Sequence, residues 1–484
     1  MLTKIMYTIH RVLGTLLSAL FVMWFISGIV MIYHTFPSIR RSGLEHKAPI
    51  SSVLPSLQDV CKRLPVGETI RNLTLSCRLE QPVFDIITDK GHYLLPADST
   101  HALLPMDKDY FYRLAGEWCK SPVVRVDSLT DLEQWIPFGR LKQELPIYKF
   151  YFNDTNKSQL YISSKSGEVL QYTTWKSRFW SWVGAIPHWV YFTRLRQDID
   201  LWKTTVIILS AIGVLMTIAG IYVGIHAYLK ARRMRGRWVS PYKKRWYYWH
   251  HVTGFLFGLF VLTWIFSGMM SLADTPEWLA KEHKKYPVRE ILSASALPFE
   301  NYPLDYRKAI EAYPGKVTEV KWSNFREIPV YEVLVGKKRK AIDASGEMAG
   351  ELNLTASEVY KAIQAIHPGE EVLTPELLTH YDTYYIDRKK MLNLPVWKVE
   401  VVNPDQTCYY INPKTGQIRE YNTRGRWHFW MYPGLHSLKF KWLVEHPVVW
   451  SAVMWILLLG GTAVSVTGVV LGCRYLKRKM KIRK

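Results

Sequence analysis

Four of the fifteen histidines recur at matched positions in the two halves of the chain: His10 with His250, 240 residues later, and His188 with His436, 248 residues later. Neutral imidazole is a strong ligand for haem iron, and one iron can be gripped from both sides by two of them. Electrons crossing the roughly 30 Å of a bilayer's hydrocarbon core need a redox centre near each face, so two symmetric histidine pairs at two depths are what two haems would require. Gly14 and Gly254 lie four residues after His10 and His250, one helical turn along the same face. A missing side chain there lets the edge of a flat macrocycle lie against backbone. Gly184 and Gly434 precede the other two histidines by four and two residues. The plainer alternative makes these histidines interfacial residues beside membrane spans and the glycines helix-packing positions, the role expected of Gly220-x-x-x-Gly224.

Three more histidines are alternate ligands: His226, His34 and His251, whose counterparts in the other half are Arg474, Asp274 and Arg11. His226 lies two turns inside a span and is the strongest substitute, while His251 reads as a polar neighbour. His46, His92, His101, His283, His367 and His380 read as surface residues. Trp24 and Trp264 read as packing that would also suit a haem wall, and Trp175, Trp180, Trp182, Trp189, Trp427, Trp430 and Trp442 as an interfacial belt. HExxH, GxSxG, Walker A and GxGxxG are missing, so zinc proteolysis, elbow-serine acyl transfer, ATP hydrolysis and dinucleotide binding have no local support. The five cysteines include no CxxC, which removes zinc ribbons and covalent haem attachment and leaves at most one disulfide in the first long segment between spans.

Four stretches of the 484-residue chain lack Asp, Glu, Lys and Arg for longer than a membrane crossing needs: 12–39, 204–229, 246–273 and 447–473. The first has no small-x-small cleavage site and reads as a retained span rather than a signal peptide. The formal charge of +22 is concentrated: 230–245 holds eight Lys/Arg, 474–484 holds seven, and Lys4 and Arg11 add two, leaving 46 bases against 41 acids elsewhere. These basic runs are topology signals that place both termini and the 230–245 loop in the cytosol, and they argue against nucleic-acid binding.

The halves align beyond the histidines. An offset of 240 matches Val12, Gly14, Leu16, Trp24, Ser27 and Gly28; an offset of 248 matches Arg178, Trp182, Trp202, Ile208, Leu209, Gly213, Gly220 and Gly224. Each half is span, outward domain, span, which predicts a pseudo-twofold axis along the membrane normal. The outward segments read as α+β, with hairpins in Lys149–Asn153, Gln159–Ser163 and Thr407–Ile418, a further strand and turn at Ala341–Glu347, and a helix over Ala356–Ile366.

His-x-x-x-Gly opening a span that ends Trp-x-x-Ser-Gly, then Tyr-Ile-(Asn/Ser)-x-Lys-(Thr/Ser)-Gly-(Glu/Gln), a His shortly before the next span, and Gly-x-x-x-Gly with basic residues resemble the PepSY-associated transmembrane family, over nearly the whole chain. Ile186-Pro-His188 and Cys473-Arg474 depart from that pattern. The resemblance implies an α-helical membrane protein with four transmembrane helices in two tandem repeats and two extracytoplasmic α+β PepSY-like domains. The expected divisions are 1–35, 36–200 (periplasmic domain 1), 201–229, 230–245, 246–273, 274–445 (periplasmic domain 2) and 446–484, in a bacterial inner membrane. It also implies a haem-dependent ferric-siderophore reductase holding two haems b through His10, His250, His188 and His436. Its partners would be a ferric siderophore or other iron chelate, quinol or a cytosolic electron donor, and the lipid bilayer. Arg178 and Arg426 would help hold the chelate. The competing readings are a PepSY-type binding or regulatory protein acting on proteases without a cofactor, and a siderophore-uptake transporter component, which spans free of acids and bases disfavour.

Overall fold

A computed structural model describes the chain except for residues 40–47, 51–52, 80, 99–101, 294–296 and 483–484, so His46 and His101 lie outside the described residues. Among the described residues four helices are long and apolar enough to cross a membrane: α1 (Leu2–Met31), α2 (Ile199–Arg235), α3 (Arg245–Met270) and α4 (Pro447–Ile482). The side chain of Asp198 caps α2 by accepting from the Asp200 and Leu201 amides. The helix stops at Gly236, whose positive φ of 65° lets its amide return to the Arg232 carbonyl. Arg232, Arg233 and Arg235 crowd that last turn, where the helix dipole favours cations. α1 packs on α2 and α4, and α3 packs on the same two, so α1 and α3 stand diagonally across the bundle. The start of α1, the end of α4 and the loop 236–244 lie at one end, here the terminal side; the β structure lies at the other, the lobe side.

On the lobe side the two long segments are joined. Strands β1 (Ile70–Arg78), β2 (Gln81–Thr88) and β3 (His92–Pro96) of the first, with β8 (Val317–Phe325), β9 (Ile328–Val335), β10 (Lys338–Asp343) and β11 (Gly350–Glu351) of the second, make one seven-stranded sheet in the order β11-β10-β9-β8-β1-β2-β3. β1 and β8 run antiparallel with Leu75 opposite Val320, and both residues are fully buried in one core with Phe84, Trp322 and Tyr331. The division into a first and a second domain therefore needs refinement: a shared sheet stands between two smaller lobes.

The first lobe is the sheet β4 (Val123–Leu129), β5 (Ile147–Phe152), β6 (Gln159–Ser163) and β7 (Val169–Thr173) under the helix Lys108–Trp118. The second is β12 (Glu371–Val372), β13 (Glu376–Leu378), β14 (Val396–Val402), β15 (Cys408–Ile411) and β16 (Ile418–Tyr421), packed on the helix Ala356–Ile366. That helix occupies the residues its sequence pattern gives. Thr355 and Glu358 close a capping box at its start, and Val359, Ala362, Ile363 and Ile366 recur on one face as its buried stripe. No disulfide joins any of the five cysteines.

Candidate functional site

Across the bundle diagonal, the rings of His10 on α1 and His250 on α3 face each other with centroids 6.0 Å apart. On the lobe side His188 and His436 do the same at 6.0 Å. Two imidazoles bound to one metal ion through metal–nitrogen bonds of about 2 Å have centroids roughly 6 Å apart. The sequence-matched histidines thus pair with each other and not within a half.

The hydrogen bonds fix which ring nitrogen remains. His10 Nδ1 lies 3.1 Å from the Met216 carbonyl, which can only accept. His250 Nδ1 lies 3.0 Å from Thr467 Oγ1, whose hydroxyl hydrogen is already given to the Ala463 and Val464 carbonyls one turn back. Ser27 Oγ donates to the Trp24 carbonyl and Ser267 Oγ to the Trp264 carbonyl, so each accepts from a histidine, His188 Nδ1 at 3.1 Å and His436 Nδ1 at 3.0 Å. Partner chemistry therefore assigns the proton of all four rings to Nδ1. The Nε2 atoms carry lone pairs, and no hydrogen-bond partner for any of them occurs among the described residues. Metal-binding histidines are commonly oriented by such a bond from the remote nitrogen.

A glycine backs each ring. A Cβ on Gly220 would come within 2.6 Å of His10 Cε1, and on Gly468 within 3.6 Å of His250 Cε1; on Gly28 it would come within 3.5 Å of His188 Cε1, and on Gly268 within 3.7 Å of His436 Cε1. Gly220 is thus an imidazole seat rather than one half of a helix-packing motif, and a Cβ on Gly224 would meet nothing within 4 Å. Gly14 and Gly254 touch none of the four rings: a Cβ would approach only Met216 Sδ, at 3.8 Å, or open space.

His188 and His436 sit on short helices, Ala185–Trp189 and Leu435–Ser437, that turn back into the bundle. They are not at the outer boundary, because their partners Trp24, Ser27 and Ser267 lie one to two turns inside the lobe-side ends of α1 and α3. Each helix ends in a left-handed residue, Val190 (φ 55°) and Leu438 (φ 47°), 248 positions apart. A β-branched residue there is strained. Trp202 and Trp450, in the first turns of α2 and α4, clamp these returns by donating their indole N–H to the Trp189 and Ser437 carbonyls at 2.8 and 2.9 Å.

Between the second pair opens a cavity of about 510 Å³ walled by Trp24, Trp264, Trp202, Trp450 and Tyr432, with Arg388, Lys389 and Lys439 at its rim. Toward the terminal side, Phe21 stacks on Trp24 and Phe25 packs at a tilt against Trp264, filling the bundle between the two pairs with aromatic rings. His10 and Ser27 are 17 residues apart on α1, an axial separation of about 25 Å.

The other histidines fall away. His251 is buried with both nitrogens engaged, by Ser240 Oγ at 2.9 Å and the Gly224 carbonyl at 3.1 Å, and it ties the 236–244 loop to α2. His34 stacks on Trp180 at 4.4 Å and His226 on Tyr222 at 6.2 Å, neither facing another histidine. His367 is no surface residue: it is fully buried between Glu370 (2.7 Å) and the Tyr409 hydroxyl (2.8 Å), because the helix Ala356–Ile366 delivers it under the second sheet. Arg178 donates to the Thr173 and Lys157 carbonyls, and Arg426 makes a 3.4 Å contact to Gln406 Oε1. Among the described residues no group of three or more His, Cys, Asp or Glu could hold a metal ion, so any metal bound by these pairs needs its remaining ligands from elsewhere, as a macrocycle would provide.

Four membrane-length apolar helices bearing β-sheet lobes define a membrane protein with additional β domains. Residues 353–422, the helix and sheet of the second lobe, match the PepSY domain, described as "Peptidase propeptide and YPEB domain". No curated protein matches the chain.

Proposed function

We propose that this protein is a di-haem electron conduit of the bacterial inner membrane that reduces a ferric chelate, a siderophore or its like, on the lobe side. The carrying observation is the pair of facing imidazole couples, 6.0 Å apart in both cases, with every Nδ1 engaged and every Nε2 unpartnered. His10 and His250 would hold one haem b and His188 and His436 the other, each supplying a one-electron couple when bound. The chain's own residues orient the ligands: Met216 and Thr467 on the terminal side and Ser27 and Ser267 on the lobe side lock the tautomer, and the backing glycines set ring depth. The phenylalanines and tryptophans between the pairs keep water from the intervening bundle.

The tandem repeat supplies the symmetry of the two couples, and the basic 230–245 loop and tail orient the terminal side to the cytosol and the lobes to the periplasm. Electrons enter from quinol in the bilayer or a cytosolic donor, there being no dinucleotide fingerprint in the sequence. Reduction of the ferric centre weakens its hold by oxygen-rich chelators and releases iron. A cofactor-free regulatory role built on the PepSY lobe leaves four oriented, unpartnered Nε2 atoms without a use. The test is the visible spectrum and haem stoichiometry of the purified protein. Two haems per chain, with a Soret band and a sharp α band on reduction, are expected; a colourless preparation from haem-sufficient cells overturns the reading.

A further inference from the structure

The lobe-side cavity is aromatic and apolar apart from its two imidazoles, a few serines and one charged rim. Arg388 and Lys389, with Asp387, come from the loop between β13 and β14 inside the PepSY match; Lys439 follows the left-handed turn at Leu438. Arg388 lies over the Trp450 ring, 4.1 Å from its centroid, against the cavity wall. Asp387 accepts from the Met391 amide at 2.7 Å and offsets part of the positive charge, acting on Lys439. Arg388, Lys389 and Lys439 make no ion pair and no side-chain hydrogen bond among the described residues. Three cations against the single carboxylate of Asp387 leave a positive excess at the edge of a low-polarity cavity, which favours the uptake of anions.

The loop is held firmly. Asp382 accepts from the Tyr384 and Tyr385 amides and from the Tyr410 hydroxyl of β15, while Tyr381 and Tyr385 donate to the Leu392 and Asn393 carbonyls. The rim is also one-sided. The residues 248 positions earlier are Gly139, Arg140, Leu141 and Tyr191, and of these only the uncharged Tyr191 lines the cavity.

We propose that Arg388, Lys389 and Lys439 form a carboxylate clasp that binds the two acidic side chains of the tetrapyrrole held between His188 and His436, so that the PepSY lobe fixes that ligand's rotational orientation and retention. This rests on the di-haem reading. An anionic iron chelate shares the carboxylate chemistry; the haem side chains are favoured because the cations line the same cavity as the facing imidazoles. The bonds expected are charge-assisted and, at Arg388, suited to bidentate pairing.

The test uses the full-length chain carrying His10→Ala and His250→Ala, stripped of haem and titrated with haem or with haem dimethyl ester. With the rim intact, haem is expected to bind about tenfold tighter than the diester. Arg388→Gln/Lys389→Gln/Lys439→Gln should bring haem down to the affinity of the diester. Lys389→Gln alone, at an exposed loop position, should give a smaller loss in the same direction and guards against misfolding. Equal affinity for acid and ester with the rim intact overturns the clasp. So does a triple variant that keeps its haem affinity while slowing reduction of an anionic but not a neutral ferric chelate, which would assign the rim to the substrate. If neither haem nor its diester shows the Soret shift and sharpening of bis-imidazole ligation on addition of any variant, the di-haem reading itself falls and the clasp with it.

Discussion

The two histidine pairs share their spacing and their tautomer but are built by opposite means. His10 and His250 project from uninterrupted helices, and the neighbouring helices supply what they need: a carbonyl, a threonine and two glycines. His188 and His436 ride short returning helices that end in strained left-handed residues and are pinned by Trp202 and Trp450. Regular helices hold a site without backbone strain but present only their own faces. A returning segment carries that strain and in exchange leaves a cavity bordered by residues of the second lobe.

Replacing a ligand is the largest break in this comparison. His10→Ala or His250→Ala should lower the haem content from two per chain to one, and His188→Ala or His436→Ala should do the same with a different spectrum left behind. Pyridine haemochrome counting checks this, and a variant retaining both haems would remove that histidine from the ligand set. The backing glycines come next, with an order set by geometry. Gly220→Ala puts a carbon 2.6 Å from His10 Cε1 and should empty the terminal-side site, Gly28→Ala and Gly468→Ala meet neighbours at 3.2 and 3.3 Å and should weaken theirs, and Gly268→Ala at 3.7 Å should be nearly silent. An equal effect from all four would mean that the glycines serve something other than the rings.

Much of this was legible in the sequence, because the membrane helices announce themselves by the lack of charge and the facing histidine pairs by their recurrence. Ser27/Ser267, Gly28/Gly268 and Gly220/Gly468 were also visible as identities between the halves. Their role was not, because it depends on contacts between helices: Gly220 on α2 seats a ring from α1, and Ser27 on α1 binds a ring from a returning segment. The joining of the halves through β1 and β8 left no trace, since strand pairing 245 residues apart is set by shape and burial and not by local pattern. Arg388, Lys389 and Lys439 were invisible for the converse reason: lacking cationic cavity-lining counterparts in the first half, they are read in sequence as ordinary solvent-facing charges.

The tautomer-locking hydroxyls should give a smaller effect, distributed unevenly. Ser267→Ala and Thr467→Val each remove a hydroxyl acceptor and should loosen haem at the corresponding site by about tenfold, the lower end for lost outer partners of metal-bound histidine. Ser27→Ala should loosen it less, because His188 Nδ1 keeps the Trp24 carbonyl at 3.2 Å. His10 has no equivalent vulnerability because its partner is the Met216 backbone. Haem transfer to an apo-globin acceptor measures the release rate at each site; Ser27→Ala accelerating loss from the terminal side would contradict the pairing.

The mildest test separates the sites by pH. Burial lowers the His367 imidazole below its ordinary value, against an opposing pull from Glu370 and with Lys284 adding to the depression. Burial pushes Glu370 up, but hydrogen bonds from Tyr286, Asn403 and His367 more than offset it and hold the carboxyl below its usual range. Both folded values lie below the unfolded ones, so both groups contribute stability that is fully present above the unfolded values, about 6.5 for histidine and 4.3 for glutamate, and is lost as pH falls. The second lobe should therefore soften first below about pH 6.5 through His367 and again in the acid carboxylate range through Glu370. That lobe carries the loop bearing Arg388 and Lys389, whereas the terminal-side pair is far from it. If the pairs hold haem, proton competition for their Nε2 atoms would weaken its binding in acid at both sites alike. The added loss at the lobe-side site, a few-fold faster release between pH 6.5 and 5, should be removed by His367→Gln, which keeps a hydrogen-bonding side chain without the titration. Parallel pH profiles at the two sites in the unsubstituted protein would show that the lobe does not stabilise the cavity it overhangs.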